Sequence, residues 1–219
     1  MTRKFERAAY GGEGWTPRSR ALRDEVGEAW GACGVDSEWR RLKTVLLHRP
    51  GDELEGVGGP DAAGGQGGPD DALMLDAPDA ERVREEHDRL ADLYRELGVA
   101  VRRVDAASPT TPNQLFVADL MFMTPEGAIV GRPASTVRAG EERWVAAALA
   151  REGVPILRTV SGRGTFEGAD AMWLDPETVL LARGLRTNDE GWWQVAAVLE
   201  EQCVQVIEVQ LAFGTMHLM

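Results

Sequence analysis

The segment Asp119–Arg132 repeats without a gap as Asp170–Arg183, 51 positions further along the chain. Asp119 matches Asp170, Met121 matches Met172, Pro125-Glu126 matches Pro176-Glu177, and Arg132 matches Arg183. Each copy reads as a hairpin: two short apolar runs around a Pro-Glu turn. Each is followed by a helix and a strand. Helical periodicity spans Asp79–Leu97, with Val83, Leu90, Leu93, Tyr94 and Leu97 as its apolar stripe, then Gly98 and a strand at Val99–Val104. The phrase returns as helix Glu141–Glu152, Gly153 and strand Val154–Val160. It returns again as helix Gly191–Gln202 and strand Val204–Leu211, this time without the glycine. Thr44–His48 is a further strand, and Arg49-Pro50 echoes Arg132-Pro133 as the trace of an earlier copy with a long inserted loop. A period near 50 residues indicates an α/β repeat array, a solenoid or a closed ring, in which each helix covers a small sheet. Around a ring axis, equivalent aspartates of successive units converge.

Composition narrows what such an array can bind. With Lys+Arg 24 against Asp+Glu 36, the net charge of -12 argues against nucleic acid and anionic membrane as partners and suits a cationic small molecule. No apolar run approaches the roughly 18 residues of a membrane span, and Thr2-Arg3-Lys4-Phe5-Glu6-Arg7 does not open a secretory signal. Two cysteines make no disulfide framework, so a cytoplasmic protein is expected. Residues 1–38 read as an N-terminal arm with a short helix around Ser19–Trp30, and 39–219 as one globular domain or most of one. The Gly-, Pro- and Asp-rich stretch 55–71 within it is expected to be a mobile loop. Trp144, Trp192 and Trp193 read as helix-to-sheet core, and His48 as structural. Arg132 and Arg183 read as ion-pair partners at strand ends, and Cys33 and Cys203 as small buried residues.

Converging carboxylates require a positive charge between them or a shared proton. The three histidines, His48, His87 and His217, are too scattered for a zinc site, and no metal or cofactor is expected. A hard cation held by oxygens stays open. A planar guanidinium fits better, because carboxylates grip its fork of N–H donors with paired, charge-assisted hydrogen bonds.

Four segments, in order, carry a family resemblance: Thr111-Pro112-Asn113-Gln114-Leu115-Phe116-Val117-Ala118-Asp119, Phe166-Glu167-Gly168-Ala169-Asp170, Arg186-Thr187-Asn188 and Gly214-Thr215-Met216-His217-Leu218. Together they resemble the guanidino-group modifying superfamily of dimethylarginine dimethylaminohydrolases, arginine deiminases and amidinotransferases, most closely its dimethylargininase branch. The resemblance implies a pentein fold, a five-unit α/β propeller, of which this chain holds about three units and the start of a fourth. It implies that a cysteine attacks the guanidinium carbon, with His217 as general acid and base and Glu167 beside it. Asp119 and Asp170 would hold the guanidinium, Arg138 and Arg186 the substrate carboxylate, while Phe116 packs on the substrate and Asn113 lines the pocket. Asn113 and Ala118 stand where dimethylargininases often carry acids, and Met219 where deiminases and many amidinotransferases carry an aspartate.

The family cysteine lies on the last unit, past the histidine, and neither Cys33 nor Cys203 matches it. The chain is therefore expected to stop short of that unit and to be inactive by itself. An open strand edge should make it marginally stable or prone to dimerise or aggregate. The leading expectation is hydrolysis of a small arginine-like guanidine, dimethylarginine to citrulline and amine. The alternatives are amidino transfer to an amine and a non-catalytic pentein-fold binding protein.

Overall fold

The computed structural model describes residues 15–55, 57, 72–106 and 110–219. The start of the predicted arm and nearly all of the predicted 55–71 loop lie outside these residues. The mixed α/β architecture follows the repeat. Strand β1 (Thr44–Leu47) pairs in parallel with β2 (Ala100–Arg103), and helix α1 (Ala80–Glu96) connects them. The hairpin β3 (Met121–Thr124) and β4 (Gly127–Val130) is antiparallel; helix α2 (Glu142–Arg151) then returns the chain so that β5 (Ile156–Thr159) lies parallel to β4. The next copy uses the same plan with β6 (Ala171–Asp175), β7 (Thr178–Arg183), α3 (Asp189–Glu201) and β8 (Gln205–Gln210). The strand orders are β3-β4-β5 and β6-β7-β8. The sheets form no closed ring among the described residues.

The local chemistry of the two copies matches. In each hairpin turn the side chain before the proline accepts a hydrogen bond from the N–H two residues on: Thr124 from Glu126 at 3.3 Å, Asp175 from Glu177 at 2.9 Å. The equivalent residues Phe122 and Trp173 stack on each other, ring centroids 5.8 Å apart, joining the two units through one core with Ile129, Phe166, Leu181, Trp192 and Leu199. Trp173 satisfies its indole N–H on the carbonyl of Met123. Backbone bonds between Arg132 and Phe166 in both directions tie the end of one hairpin to the start of the next unit. From the arm, Gly31 N–H donates to Gly153 O, and the Glu38 carboxylate accepts from Trp173 N–H.

Five expectations need correction. The apolar stripe of α1 is not its packing face: Ala91 is buried, whereas Leu90, Leu93 and Leu97 are exposed, because the two-stranded β1–β2 sheet covers only a narrow strip of the helix. Trp193 is 61% exposed, with its ring edge-on to the buried Trp192. Helix α3 begins two residues before Gly191, because Asn188 caps it by accepting from Gly191 N–H, and Asp189 and Glu190 suit the positive end of the helix. The helix within Ser19–Trp30 is a single turn, Leu22–Glu25. Cys203 is exposed, and it adopts φ 61° at the turn where the other two helices carry Gly98 (φ 77°) and Gly153 (φ 71°). The missing glycine in the third phrase therefore does not change the backbone; a cysteine takes the left-handed conformation instead.

Candidate active site

The repeat places acids on one-turn helices that lead into each hairpin. Asp119 closes Val117–Leu120 ahead of β3, and Asp170 closes Gly168–Asp170 ahead of β6. These turns lie so close that a Cβ on Gly168 would collide with the carbonyl oxygens of Ala118 and Met121; only glycine permits the approach. The chain end docks beside the second turn through a bond from Met219 N–H to Ala169 O at 3.2 Å.

Three distant segments meet there. His217 Nε2 lies 2.7 Å from Glu167 Oε2 and 3.8 Å from Asp119 Oδ1. Glu167 is fully buried; its Oε1 accepts from Ala134 N–H at 3.1 Å and lies 3.5 Å from Arg186 Nη1. Burial alone would raise the Glu167 pKa. The hydrogen bonds from His217 and Ala134, with the charges of Arg186 and Arg138, outweigh it and hold the carboxyl below its usual range. The bond to Glu167 drives His217 the other way, above an ordinary imidazole. Burial opposes this, and the charges of Asp119, Glu167 and Asp170 reinforce it. Asp170 is pushed up by burial, against a 2.6 Å bond from the Thr187 hydroxyl and the nearby His217.

Arg138 lies in the same cluster. It is 4% exposed, and its guanidinium already sits among carboxylates. Nη1 donates to Asp119 Oδ2 at 2.5 Å, and Nε and Nη2 both approach Glu141 Oε2 at 2.9 Å. Nη2 also reaches the carbonyl of Phe116 at 3.3 Å, and the Phe116 ring faces the cation at 5.9 Å. Phe116 is partly exposed, as a substrate-facing residue requires, whereas Asn113 is buried and donates its amide to Ala72 O at 2.7 Å. The sequence reading did not single out Glu141, which is 1% exposed and takes a further hydrogen bond from the Thr111 hydroxyl. Burial is the main cause of its raised pKa, opposed by Arg138 and Thr111. The only cue to it is an arginine three positions before a glutamate at a helix start, which by itself marks a surface pair.

One oxygen each of Asp119 and Glu167 and one nitrogen of His217 lie within 4.8 Å of one another, close enough to share a small cation. The neighbouring Arg138 already bonds to Asp119, and His217 to Glu167. Neither cysteine belongs to this centre. Cys33 lies beside β3 and α2, in a cavity that also touches Met121, Met123 and Leu149. Cys203 sits by the β6–β7 turn, beside Asp175 and Thr178, a strand length of roughly 17 Å from Asp170.

Residues 76–218 match the family model described as N,N dimethylarginine dimethylhydrolase, eukaryotic. The arginine deiminase of Rhodococcus erythropolis is 46% identical over 69 residues, which is 31% of this chain and 15% of that protein. The N(G),N(G)-dimethylarginine dimethylaminohydrolase of Streptomyces coelicolor is 31% identical over 101 residues, 46% of this chain and 38% of that protein. Among solved structures, a dimethylarginine dimethylaminohydrolase mutant from Pseudomonas aeruginosa complexed with citrulline superposes with TM-score 0.65 at 23% identity, covering 81% of this chain and 64% of that one. An amidinotransferase from Microseira wollei superposes with TM-score 0.58 at 14% identity, covering 84% and 64%. These likenesses show the pentein fold. The chain spans less than two thirds of the length of each relative and structure named here.

Proposed function

This chain belongs to the N,N dimethylarginine dimethylhydrolase family, and from that premise we propose that its buried acid–histidine centre serves hydrolysis of a small arginine-type guanidine, N,N-dimethylarginine first among the candidates. The observation that carries the proposal is the 2.7 Å bond between His217 and Glu167, with Asp119 3.8 Å from the same nitrogen. A guanidinium carbon is a poor electrophile, and fixing it against a nucleophile makes the attack effectively intramolecular. Asp119 would hold the cation and Asp170 support the same pocket, with Phe116 against the ligand and Asn113 lining the pocket. Arg186, which is partly exposed, would meet the substrate carboxylate. The pKa of His217 is raised above that of an ordinary imidazole, the direction that favours delivery of a proton to the leaving amine. Glu167 orients the ring and balances its charge. Covalent attack would need a thiol at this centre, and Cys33 and Cys203 both sit elsewhere.

No described helix is long and apolar enough to cross a membrane. We place the protein in the cytoplasm, and the exposed Leu90, Leu93 and Leu97 favour a second copy as partner.

Titration calorimetry with N,N-dimethylarginine, arginine and guanidinium tests the site in this chain as it stands. Binding should weaken at least tenfold in Asp119→Asn, which removes the charge that grips the cation. Citrulline release from N,N-dimethylarginine tests the reaction. Failure of all three compounds to bind at millimolar concentration would refute the guanidine reading.

A further inference from the structure

We propose that Arg138 occupies the guanidinium site when no ligand is bound, and that Glu141 is the positioning residue that lets it yield. The proposal rests on the guanidine reading of this centre and adds to it a residue that decides specificity. Arg138 presents to Asp119 the chemical group that the substrate would present, a guanidinium N–H on Asp119 Oδ2 at 2.5 Å. The other oxygen, Oδ1, faces His217 at 3.8 Å. A ligand guanidinium that pairs with both oxygens of Asp119 therefore competes with Arg138 for Oδ2.

The geometry favours displacing Arg138. Its other two nitrogens, Nε and Nη2, share one oxygen, Glu141 Oε2, so the planar group can tilt about that edge, drawing Nη1 off Asp119 while the cation stays paired. Glu141 can act as that anchor because it is held in turn. Its Oε1 takes the Thr111 hydroxyl, and its backbone carbonyl accepts from the Gln114 amide at the start of α2. Once freed, Nη1 needs a new anion. An arginine-type ligand brings its own carboxylate, and a decarboxylated guanidine brings none. One arginine then couples recognition of the two ends of the ligand. Glu141 sets the strength of the coupling by deciding how much of the Arg138 charge is still balanced after the exchange.

The test compares arginine with agmatine, its decarboxylated counterpart, by calorimetric titration of the wild-type chain and Glu141→Gln. With a neutral anchor, a displaced Arg138 depends on the ligand's carboxylate. Agmatine should weaken about 100-fold and arginine about tenfold, widening their ratio about tenfold. A residue that merely holds the fold would weaken both alike, and an unchanged ratio would overturn the proposal. Should Glu141→Gln fail to fold, Thr111→Val removes the hydroxyl that orients Glu141 while keeping its charge. The ratio should then widen about threefold, the effect of losing a single hydrogen bond; no change overturns the exchange. If the wild-type chain binds arginine but Glu141 variants leave the ratio fixed, the exchange falls and the guanidine site stands. If it binds no guanidine at all, both fall.

Discussion

Replacing Arg138 by methionine tests the electrostatics of the centre most directly. Methionine keeps the apolar stem and removes the guanidinium. Asp119 loses its 2.5 Å donor, Glu141 loses two donors at 2.9 Å, and the Phe116 carbonyl loses one at 3.3 Å. Glu141, 1% exposed, keeps only the Thr111 hydroxyl on its side chain. Stranding one partner of a buried pair costs about 3–5 kcal/mol, a large part of a domain's roughly 5–15 kcal/mol. Urea unfolding should therefore show a much lower midpoint with an unchanged slope. The loss should also depend on pH. Burial already raises the Glu141 pKa, and without Arg138 it must rise further. A carboxyl whose folded pKa lies above its unfolded value favours the fold at low pH and works against it as pH rises through the folded pKa. The gap between Arg138→Met and wild type should then shrink in acid and widen towards neutrality. Adding Glu141→Leu should recover most of the loss, since neither charge is then left unpaired. A loss under 1 kcal/mol, or one independent of pH with no recovery in the double variant, would show that the Arg138–Glu141 pairing does not hold in solution.

Three further outcomes follow from the geometry. Cys203→Gly should stabilise by about 0.5–1 kcal/mol in urea unfolding, since relief of the left-handed backbone exceeds the extra chain entropy of glycine; a loss would contradict the φ of 61°. His217→Gln should lose stability relative to wild type most below pH ~6.5, with the difference fading as pH rises through the raised imidazole pKa; wild-type Glu167, held low, adds its share above its unfolded pKa and loses it in acid, so a difference that grew in base would refute the pairing. Gly168→Ala should unfold the chain or abolish guanidine binding, read by thermal melting and calorimetry, because its methyl group has no space between the Ala118 and Met121 carbonyls.

Much of the fold was legible because the repeat and the periodicities agree. The gapless match between Asp119–Arg132 and Asp170–Arg183 marked two hairpins, and both fold with the same turn chemistry. What misled was periodicity read without its partner. The leucines of α1 satisfy helical spacing, but the sheet beneath is two strands wide and buries Ala91 instead. Among the candidate site residues, Asp119, Glu167 and His217 do meet. The roles of Arg138 and Glu141 could not be read from sequence, since Coulomb balance inside a buried cluster depends on which charges lie within 4 Å, and spacing along the chain does not record that.

The repeat also explains how one position can serve opposite chemistries. Asp119 and Asp170 occupy equivalent turns, yet Asp119 faces Arg138, while Asp170 is sealed in with a hydroxyl and pushed towards its neutral form. Glu167, three residues before Asp170, is held ionised by bonds and charges that overcome its burial. His217 is brought to the same centre from the next segment of chain, and its bond to that carboxylate raises its pKa. Pseudo-symmetry supplies convergence, and the neighbours of each copy supply the differences. One carboxyl held below its ordinary range, another pushed above its own, and a histidine raised beside them form an asymmetric site. Such a site can grip a cation with one acid and deliver a proton through another residue, which a symmetric ring of identical acids could not do.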